Sequence, residues 1–357
     1  MCLYSYNIKP FVCDKDIVVY KLLKVNDNKF KTFYQNTSVS VDEVIKANGT
    51  LPEILLDYSN NNIDKGVIHA YIRNNIKDDI YDPVYDDRVF AKSVIKAGTP
   101  FFVQFDMEEV AARELFISSE IIDYNNIDNK IDEITSNLRE THEIIYKLMR
   151  EQIVGKDGVK VGDVLLSDRK TFVTPENITK DMSIIGVVGF INNDGIPHII
   201  SLYQEEKRWA EGYSSPINVV NTYNEVCNDF NGKKYTKNLF KKYSDRLDDF
   251  SALEYCVSYS TEGTKKGDWV FDSSGEVLQV IRNAYIINVT IDKINMVNSN
   301  IKADKIVFRT NYWASAEMSS AYAWYCYTGN ASCHYWNVKW HIFYVRPSLA
   351  LGKTDTD

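Results

Sequence analysis

The stretch "YWASAEMSSAYAWYCYTGNASCHYWNVKWHIFYVRP", residues 312–347, carries eleven Tyr, Trp or Phe residues and only three charged ones. Aromatic residues are enriched in β-strands, and Gly329 followed by Asn330 is typical of a turn between two strands. The stretch therefore predicts a β-hairpin centred on these two residues. It also raises the question of which rings are buried in the protein and which face outward.

Strand alternation divides the rings of this stretch between two faces. Trp324 and Cys326 fall on one face of the predicted strand, and Tyr325 and Tyr327 fall on the other. We expect Trp313 and Trp324 to lie in the core. A single domain rarely has two cores, so part of the remaining set should be exposed or lie at a subunit interface. Exposed rigid rings give large contact areas at low entropic cost. The candidate ligand-binding residues are Tyr322, Tyr325, Tyr327, His334, Tyr335, Trp336, Trp340, His341 and Phe343.

Length, composition and charge limit the class of protein. The chain has 357 residues, of which 45% are hydrophobic, and a formal net charge of −8. These values predict a folded chain of two domains. No long run of Lys and Arg is present, which argues against nucleic acid as a partner. No apolar run is long enough to span a bilayer, and the N-terminus lacks the apolar core of a signal peptide, so we expect a soluble protein and no membrane partner.

Residues that could support chemistry are few and dispersed. The six cysteines form no C-x-x-C pair, which argues against a zinc site and predicts buried thiols in a reducing compartment. The five histidines lack metal-ligand or catalytic spacing, and we expect each to have an ordinary surface or core role. No nucleophile elbow, P-loop or H-E-x-x-H motif is present. The sequence thus predicts no catalytic residue, no metal and no cofactor.

Residues 1–123 are predicted to form a small α+β domain. The sequence "MEEVAAREL" at 107–115 favours a short helix. The β-strand patterns lie at residues 16–25, 66–72, 93–105 and 116–122.

Residues 124–154 are predicted to form a connecting helix with a heptad pattern. The repeating positions are Ile127, Ile131, Ile134, Leu138, Thr141, Ile145, Leu148 and Gln152. Such spacing places one stripe along a helix. Two interpretations stay open: the stripe packs on its own domain, or it pairs with other copies in a coiled coil. The frequent Ile favours three strands over two, so we expect a homo-oligomer, with a trimer favoured.

Residues 155–352 are predicted to form a second α+β domain, which a short tail at 353–357 follows. The glycine-rich segment 154–163 is expected to be a linker. Apolar runs on either side of the turn "NNDG" predict a β-hairpin, and two helices are expected after it. The runs lie at 184–191 and 198–203, and the helices near 216–230 and 237–259.

The second domain resembles a known family in the order of four segments. They are "VGDVLLSD" (161–168), "IGVVGFINNDGIPHIISL" (185–202), "ALEYCVSYSTEGTKKGDWVFDSSGEV" (252–277) and the aromatic stretch (312–347). In this order they are similar to the C-type-lectin-like domains of Bacteroides and phage proteins. That fold includes the formylglycine-generating-enzyme-like architecture and the target proteins of diversity-generating retroelements. The resemblance implies a C-type-lectin-like fold over residues 158–352.

The family pattern W-S-S-x-E, A-W-Y, a glycine turn, one Lys and Y-V-R-P is matched within the aromatic stretch. The chain has Ala314 where the pattern has Ser, and "VFDSSGE" where the family has "YLPS-x-GE". Retroelement targets display variable residues on a rigid scaffold. Trp336 and Trp340 are not reachable from Asn codons by changing adenines, which argues against active diversification of this copy. The matching residues are Trp313, Ala314, Ser315, Glu317, Ala323, Trp324, Tyr325, Gly329, Lys339 and residues 344–347.

Calcium-dependent sugar binding of the animal lectin type is not expected, because the domain lacks the E-P-N and Q-P-D tripeptides. The N-terminal domain resembles a recurrent phage and Bacteroides module, for which the resemblance implies no activity. Its matching segments are "MCLYS" (1–5), "IVVYK" (17–21), a G-x-H-A-Y-like run at 66–71 and an I-P-x-G-T-like run at 95–99.

Together these resemblances predict a structural protein of a bacteriophage particle, a head or tail fibre or adhesin component. On this hypothesis the N-terminal module contacts other virion proteins, and the lectin-like domain binds a glycan or protein on the host surface. The expected location is the virion, after synthesis in the host cytoplasm. Two alternatives stay open: a purely structural part that contacts capsid or tail neighbours, and, less favoured, an enzyme.

Overall fold

The computed structural model describes most of the chain and divides it into two compact units, Met1–Met149 and Arg150–Asp357. The described part of the first unit combines one helix with one antiparallel sheet, and that of the second combines several helices with two mostly antiparallel sheets, which confirms the expected α+β class. No helix in the described part is long and apolar enough to cross a membrane. The described residues are 10–26, 29–32, 38–46, 68–72, 88–103, 107, 109–112, 114–123, 126–298 and 300–351.

The first unit is built on one nine-stranded sheet. Seven strands follow the order β4-β9-β6-β1-β5-β8-β7, while β2 joins β1 to β3. The strand patterns of the sequence are confirmed where the structure describes them, and the "MCLYS" match lies outside the described residues. The strands are β1 (Ile17–Asn26), β2 (Lys29–Thr32), β3 (Ser38–Val39), β4 (Glu43–Lys46), β5 (Ile68–Tyr71), β6 (Arg88–Ile95), β7 (Phe101–Val103), β8 (Glu109–Ala112) and β9 (Glu114–Ile122).

The helix predicted at 107–115 is wrong, because this segment forms β8 and the start of β9. Strand β8 pairs with β5 on one side and with β7 on the other. Val110, Ala111 and Ala112 are buried there. Pairing on both sides outweighs the intrinsic helix preference of Glu and Ala, which is worth only tenths of a kcal/mol per residue.

The predicted connecting helix is present as α1 (Ile127–Glu151) and belongs to the first unit up to Met149. Most of its apolar stripe is buried within the single chain, including Ile134 and Leu138. The Thr141 hydroxyl donates to the Val18 carbonyl of β1 at 2.7 Å. Of the two interpretations, the structure therefore supports the helix packed on its own domain. A homo-oligomer remains a prediction. The preference for a trimer depended on this stripe, most of which is buried within one chain.

The second unit contains two five-stranded sheets and five α-helices in its described part. One sheet has the order β11-β10-β12-β13-β19 and the other the order β14-β18-β15-β16-β17. The strands are β10 (Val164–Leu166), β11 (Phe172–Val173), β12 (Ile184–Ile191), β13 (Pro197–Ser201), β14 (Glu205–Arg208), β15 (Asn311–Glu317), β16 (Tyr322–Tyr327), β17 (Ser332–Val338), β18 (Ile342–Val345) and β19 (Ser348–Ala350). The helices are α2 (Tyr223–Cys227), α3 (Gly232–Tyr243), α4 (Ser251–Ser258), α5 (Ser274–Arg282) and α6 (Ala284–Val297).

The predicted hairpin at 184–191 and 198–203 is confirmed as β12 and β13, whose register aligns Gly186 with Ser201. A Cβ at Gly186 would lie 2.5 Å from the Ile200 carbonyl oxygen, so the close strand approach requires glycine there. The two expected helices are shorter and interrupted, since a 3₁₀ turn at Ser244–Asp249 separates α3 from α4. Helices α5 and α6 were not predicted.

Two of the cysteines expected to be free thiols form a disulfide instead. Cys326 of β16 and Cys333 of β17 are bonded across the hairpin. Their spacing of seven residues showed no C-x-x-C motif, but antiparallel pairing places them side by side. Cys13, Cys227 and Cys256 are free, as expected.

Candidate ligand-binding surface

The aromatic stretch forms four of the five strands of one sheet, β15 to β18. Strands β16 and β17 form the predicted hairpin, with Trp324 opposite Trp336 and Tyr325 opposite Tyr335. Strand β15 lies on the other side of β16, and it also pairs in parallel with β18. The sheet is therefore the scaffold that decides which rings reach the surface.

Both faces of this sheet are covered near its centre. On one face, Trp324 is buried and its Nε1 donates to the Val220 carbonyl at 2.9 Å. On the other face, Trp313 and Ala323 belong to a hydrophobic cluster that also contains Trp209. The expectation that only one face would be buried is wrong, because loops and helices of the same unit cover the second.

This second cover buries part of the predicted site. Tyr325, Tyr327 and Phe343 are only half-exposed. Tyr325 and Phe343 pack on each other with ring centroids 4.9 Å apart, and Phe343 lies 4.6 Å from Trp313. Tyr325 and Phe343 thus pack on the hydrophobic cluster and expose only part of their rings. Ligand binding by Tyr325, Tyr327 and Phe343 stays a prediction.

Of the seven predicted residues whose side chains the structure describes, four are exposed, and they lie in two places. Trp336 is 47% exposed and Tyr322 is 40% exposed, and strand register puts both on the Trp324 face of the hairpin. Trp340, 37% exposed, and the exposed His341 lie on the turn between β17 and β18. The structure describes the backbone of His334 and Tyr335 within β17, but not their side chains.

The turn residues form a group with two neighbours that were not predicted. Tyr213 is 74% exposed, and its ring packs edge-on against Trp340 at 5.5 Å. Ile342, at the start of β18, is 55% exposed. We call Tyr213, Trp340, His341 and Ile342 the aromatic patch. Tyr213 sits in the glycine- and serine-containing run "EGYSSP", which indicates a surface loop but not the partner of its ring.

A buried ion pair connects the chain neighbours of Trp340 and Tyr213. Lys339 and Glu317 are both fully buried, and Lys339 Nζ donates to Glu317 Oε1 at 2.5 Å. The same ammonium donates to Ser214 Oγ at 2.6 Å and lies 4.4 Å from the centre of the Trp209 ring. Burial lowers the pKa of Lys339, and the charge of Glu317 opposes that change only in part.

The other oxygen of the same carboxylate holds a second segment. Glu317 Oε2 accepts hydrogen bonds from the backbone N–H of Ile217 at 2.7 Å and of Asn218 at 3.2 Å. The pair thus ties the loop that carries Tyr213 to the turn that carries Trp340. Both segments of the patch are therefore anchored to one buried, hydrogen-bonded carboxylate.

A second buried polar cluster consists of His198, Asp272 and Glu276, whose ligand-type atoms lie within 4.8 Å of one another. These residue types could hold a metal ion, but their atoms are also joined by hydrogen bonds. His198 Nε2 lies 3.0 Å from Asp272 Oδ1, and the Ser348 hydroxyl donates to the same carboxylate. Glu276 Oε2 accepts from the backbone N–H of Ser273 at 2.8 Å and so caps α5.

The protonation of this cluster is shifted by its burial. Burial raises the pKa of Glu276 to about 7, and the charge of Asp272 adds to the effect. For His198, burial alone would lower the pKa, but the charge and hydrogen bond of Asp272 outweigh it and raise the pKa. All three side chains are buried. Together with Ser348 of β19, they connect β13 and β19 to α5.

Comparison with known proteins leaves the family open. No protein-family model matches the chain, and no curated protein matches it. Among solved structures, a fimbrial protein from Bacteroides ovatus ATCC 8483 aligns with a TM-score of 0.43 and 13% identity, over 96% of this chain and 95% of that one. At this TM-score the likeness is too distant to assign a function.

Proposed function

We propose that the protein is a fibre or adhesin component of a bacteriophage particle, and that its C-terminal unit binds a glycan or protein on the host surface. The observation that carries this proposal is the aromatic patch: four exposed side chains on two segments, with Tyr213 packed on Trp340 and a buried ion pair that joins the two segments. The N-terminal unit is the part that contacts other virion proteins.

The physical argument concerns binding free energy. Tyr and Trp side chains bury large areas with few rotatable bonds, so they lose little entropy on binding. Residues of this kind dominate binding hot spots. Because the Lys339–Glu317 pair fixes the turn and the Tyr213 loop before binding, little free energy is spent on ordering them.

The virion location is supported by the resemblance of the N-terminal sequence to phage modules. The Cys326–Cys333 disulfide is compatible with it, since disulfides persist on virion and cell surfaces. The part of the resemblance at residues 17–21 and 95–99 falls on β1 and on the turn after β6.

The test uses the full chain, labelled with a fluorophore, and a panel of Bacteroides strains. We expect binding to at least one strain, and a loss of about 30-fold or more in the Tyr213→Ala/Trp340→Ala double variant, as is typical of hot-spot residues. Phe240→Ala is the matched control, because Phe240 is exposed and aromatic but lies on α3, outside the patch.

Equal binding of the double variant and the wild type would contradict the assignment of the patch. A chain that binds no strain, together with normal adsorption of particles that lack it, would instead support the purely structural role.

A further inference from the structure

A groove in the second unit has the size of a ligand site and shares no residue with the aromatic patch. It has a volume of about 440 Å³ and lies between β14 and α4. Every lining side chain carries a hydroxyl, a carboxylate or an ammonium group. Small-molecule sites usually have a largely apolar lining, so this groove suits a ligand that is itself rich in hydrogen-bonding groups.

Two tyrosines form one side of the groove. Tyr255 and Tyr259 are four residues apart along α4 and its end, and their ring centroids are 6.2 Å apart. Burial raises the pKa of Tyr255, and the nearby charge of Glu205 adds to the effect. Burial also raises the pKa of Tyr259. Both hydroxyls therefore stay neutral. The Tyr259 hydroxyl is buried, so Tyr259 contributes its ring rather than its hydroxyl to the groove.

The charges of the groove discriminate between classes of ligand. Glu205 and Glu254 contribute two carboxylates, and Lys207 contributes one ammonium. The net negative lining disfavours anions such as phosphates and uronic acids. Lys207 Nζ lies 2.6 Å from Glu205 Oε2 and 5.5 Å from the centre of the Tyr255 ring. The protein's own cation therefore occupies the place that a cationic ligand would take.

Since anionic and cationic ligands are disfavoured, the groove fits a neutral polyhydroxyl ligand. Carboxylates accept strong, charge-assisted hydrogen bonds from hydroxyl groups, and serine hydroxyls can donate or accept. Tyrosine rings at the edge give an apolar surface for the C–H faces of a sugar ring. Ser251 and Ser258 add hydroxyls along α4. We propose that this groove binds a neutral saccharide.

The groove is separate from the aromatic patch. Ser251 Oγ donates to the Arg208 carbonyl at 2.9 Å, and Arg208 pairs with Ile342 of the patch. The side chains of Arg208 and Ile342 point to the face of the sheet opposite to Glu205 and Lys207, which line the groove. The inference therefore concerns a second site, beyond the one on which the proposed function rests, and its binding can be measured without host cells.

The experiment measures binding of the full chain to maltotriose, cellotriose and triacetylchitotriose, with trigalacturonic acid and trilysine as the anionic and cationic probes. Saturation-transfer NMR detects binding, and titration gives the Kd. We expect at least one neutral trisaccharide to bind in the micromolar to millimolar range. Glu205→Gln and Glu254→Gln should each weaken it about tenfold, a change of about 1.4 kcal/mol.

Glu206→Gln is the matched control, because Glu206 is an exposed carboxylate on the same strand but points to the opposite face. Its Kd should equal that of the wild type. The inference is overturned if no neutral trisaccharide binds, if the anionic or cationic probe binds instead, or if Glu205→Gln binds as well as Glu206→Gln. The Tyr213→Ala/Trp340→Ala variant should still bind the trisaccharide, so failure here is distinguishable from failure of the patch.

Discussion

Lys339 and Trp340 are neighbours in sequence and have opposite environments. The Lys339 side chain is fully buried against Glu317, whereas Trp340 is exposed beside Tyr213. The comparison separates two tasks within one turn: the buried side chain determines its geometry and the stability of the unit, and the exposed side chain is available for a ligand. Interior polar groups should therefore control stability, while the patch should control binding.

The largest effect is expected from Lys339→Met, which removes one partner of the buried pair. Glu317 then loses its charged partner while it is fully buried, and breaking such a pair typically costs about 3–5 kcal/mol. We expect the free energy of unfolding of the second unit to fall by that amount in urea denaturation. Cell binding should also weaken, because the turn and the Tyr213 loop lose their common anchor.

The matched control for this prediction replaces both charges. Lys339→Met/Glu317→Gln leaves no buried charge, and the glutamine oxygen can still accept from Ile217 and Asn218. The double variant should be more stable than the single variant. If Lys339→Met alone lowers the free energy of unfolding by less than about 1 kcal/mol, the pair does not support the patch.

The next largest effect is a dependence of stability on pH, which comes from the second buried polar cluster, His198, Asp272 and Glu276. Because the pKa of Glu276 is raised from 4.5 to about 7 in the folded state, its stabilising contribution is complete below about pH 4.5 and is lost as the pH rises to about 7. His198, whose pKa is also raised, acts in the same direction above pH 6.5. Between pH 4.5 and pH 7, ionisation of Glu276 should lower the free energy of unfolding of the wild type by up to about 3 kcal/mol. Glu276→Gln should remove this decrease.

An exposed copy of the same motif provides the control. Thr222 and Glu225 form a capping box at α2, as Ser273 and Glu276 do at α5. Hydrogen bonds from Thr222 and Asn221 lower the pKa of Glu225, so its contribution is present above pH 4.5 and is lost as the pH falls. From pH 5 to pH 8 the Glu276→Gln difference in unfolding free energy should change with pH while the Glu225→Gln difference stays flat. Equal slopes over this range would refute the role of burial.

How far the sequence predicts this molecule depends on the range of the contacts involved. Alternation within residues 312–347 is local, and it correctly predicts the hairpin and the burial of Trp313 and Trp324. Exposure is decided by segments from elsewhere in the chain. Ser214 and Lys339 are 125 residues apart, so no pattern in either segment could place Tyr213 against Trp340.

The same reasoning explains the errors. The helix preference of "MEEVAAREL" is local, but strand pairing with β5 and β7 is not. One face of the aromatic sheet was expected to be open because Trp209 and the helices α3 and α4 were not foreseen as a second cover. Helix α5 did carry a local signal, the S-x-x-E capping box at Ser273 and Glu276, which sequence reasoning overlooked.

The smallest effect is expected from the disulfide, and it sharpens the contrast between support and surface within the hairpin. Cys326 and Cys333 close a short loop, for which loop-closure entropy gives about 2–3 kcal/mol. Cys326→Ala/Cys333→Ala should lower the free energy of unfolding by that amount, while binding through the patch stays unchanged, because Trp340 lies beyond the bridged loop. A reducing agent should destabilise the wild type to the same extent and leave the variant unaffected. A shift of the variant on reduction would show that the effect does not come from this bond.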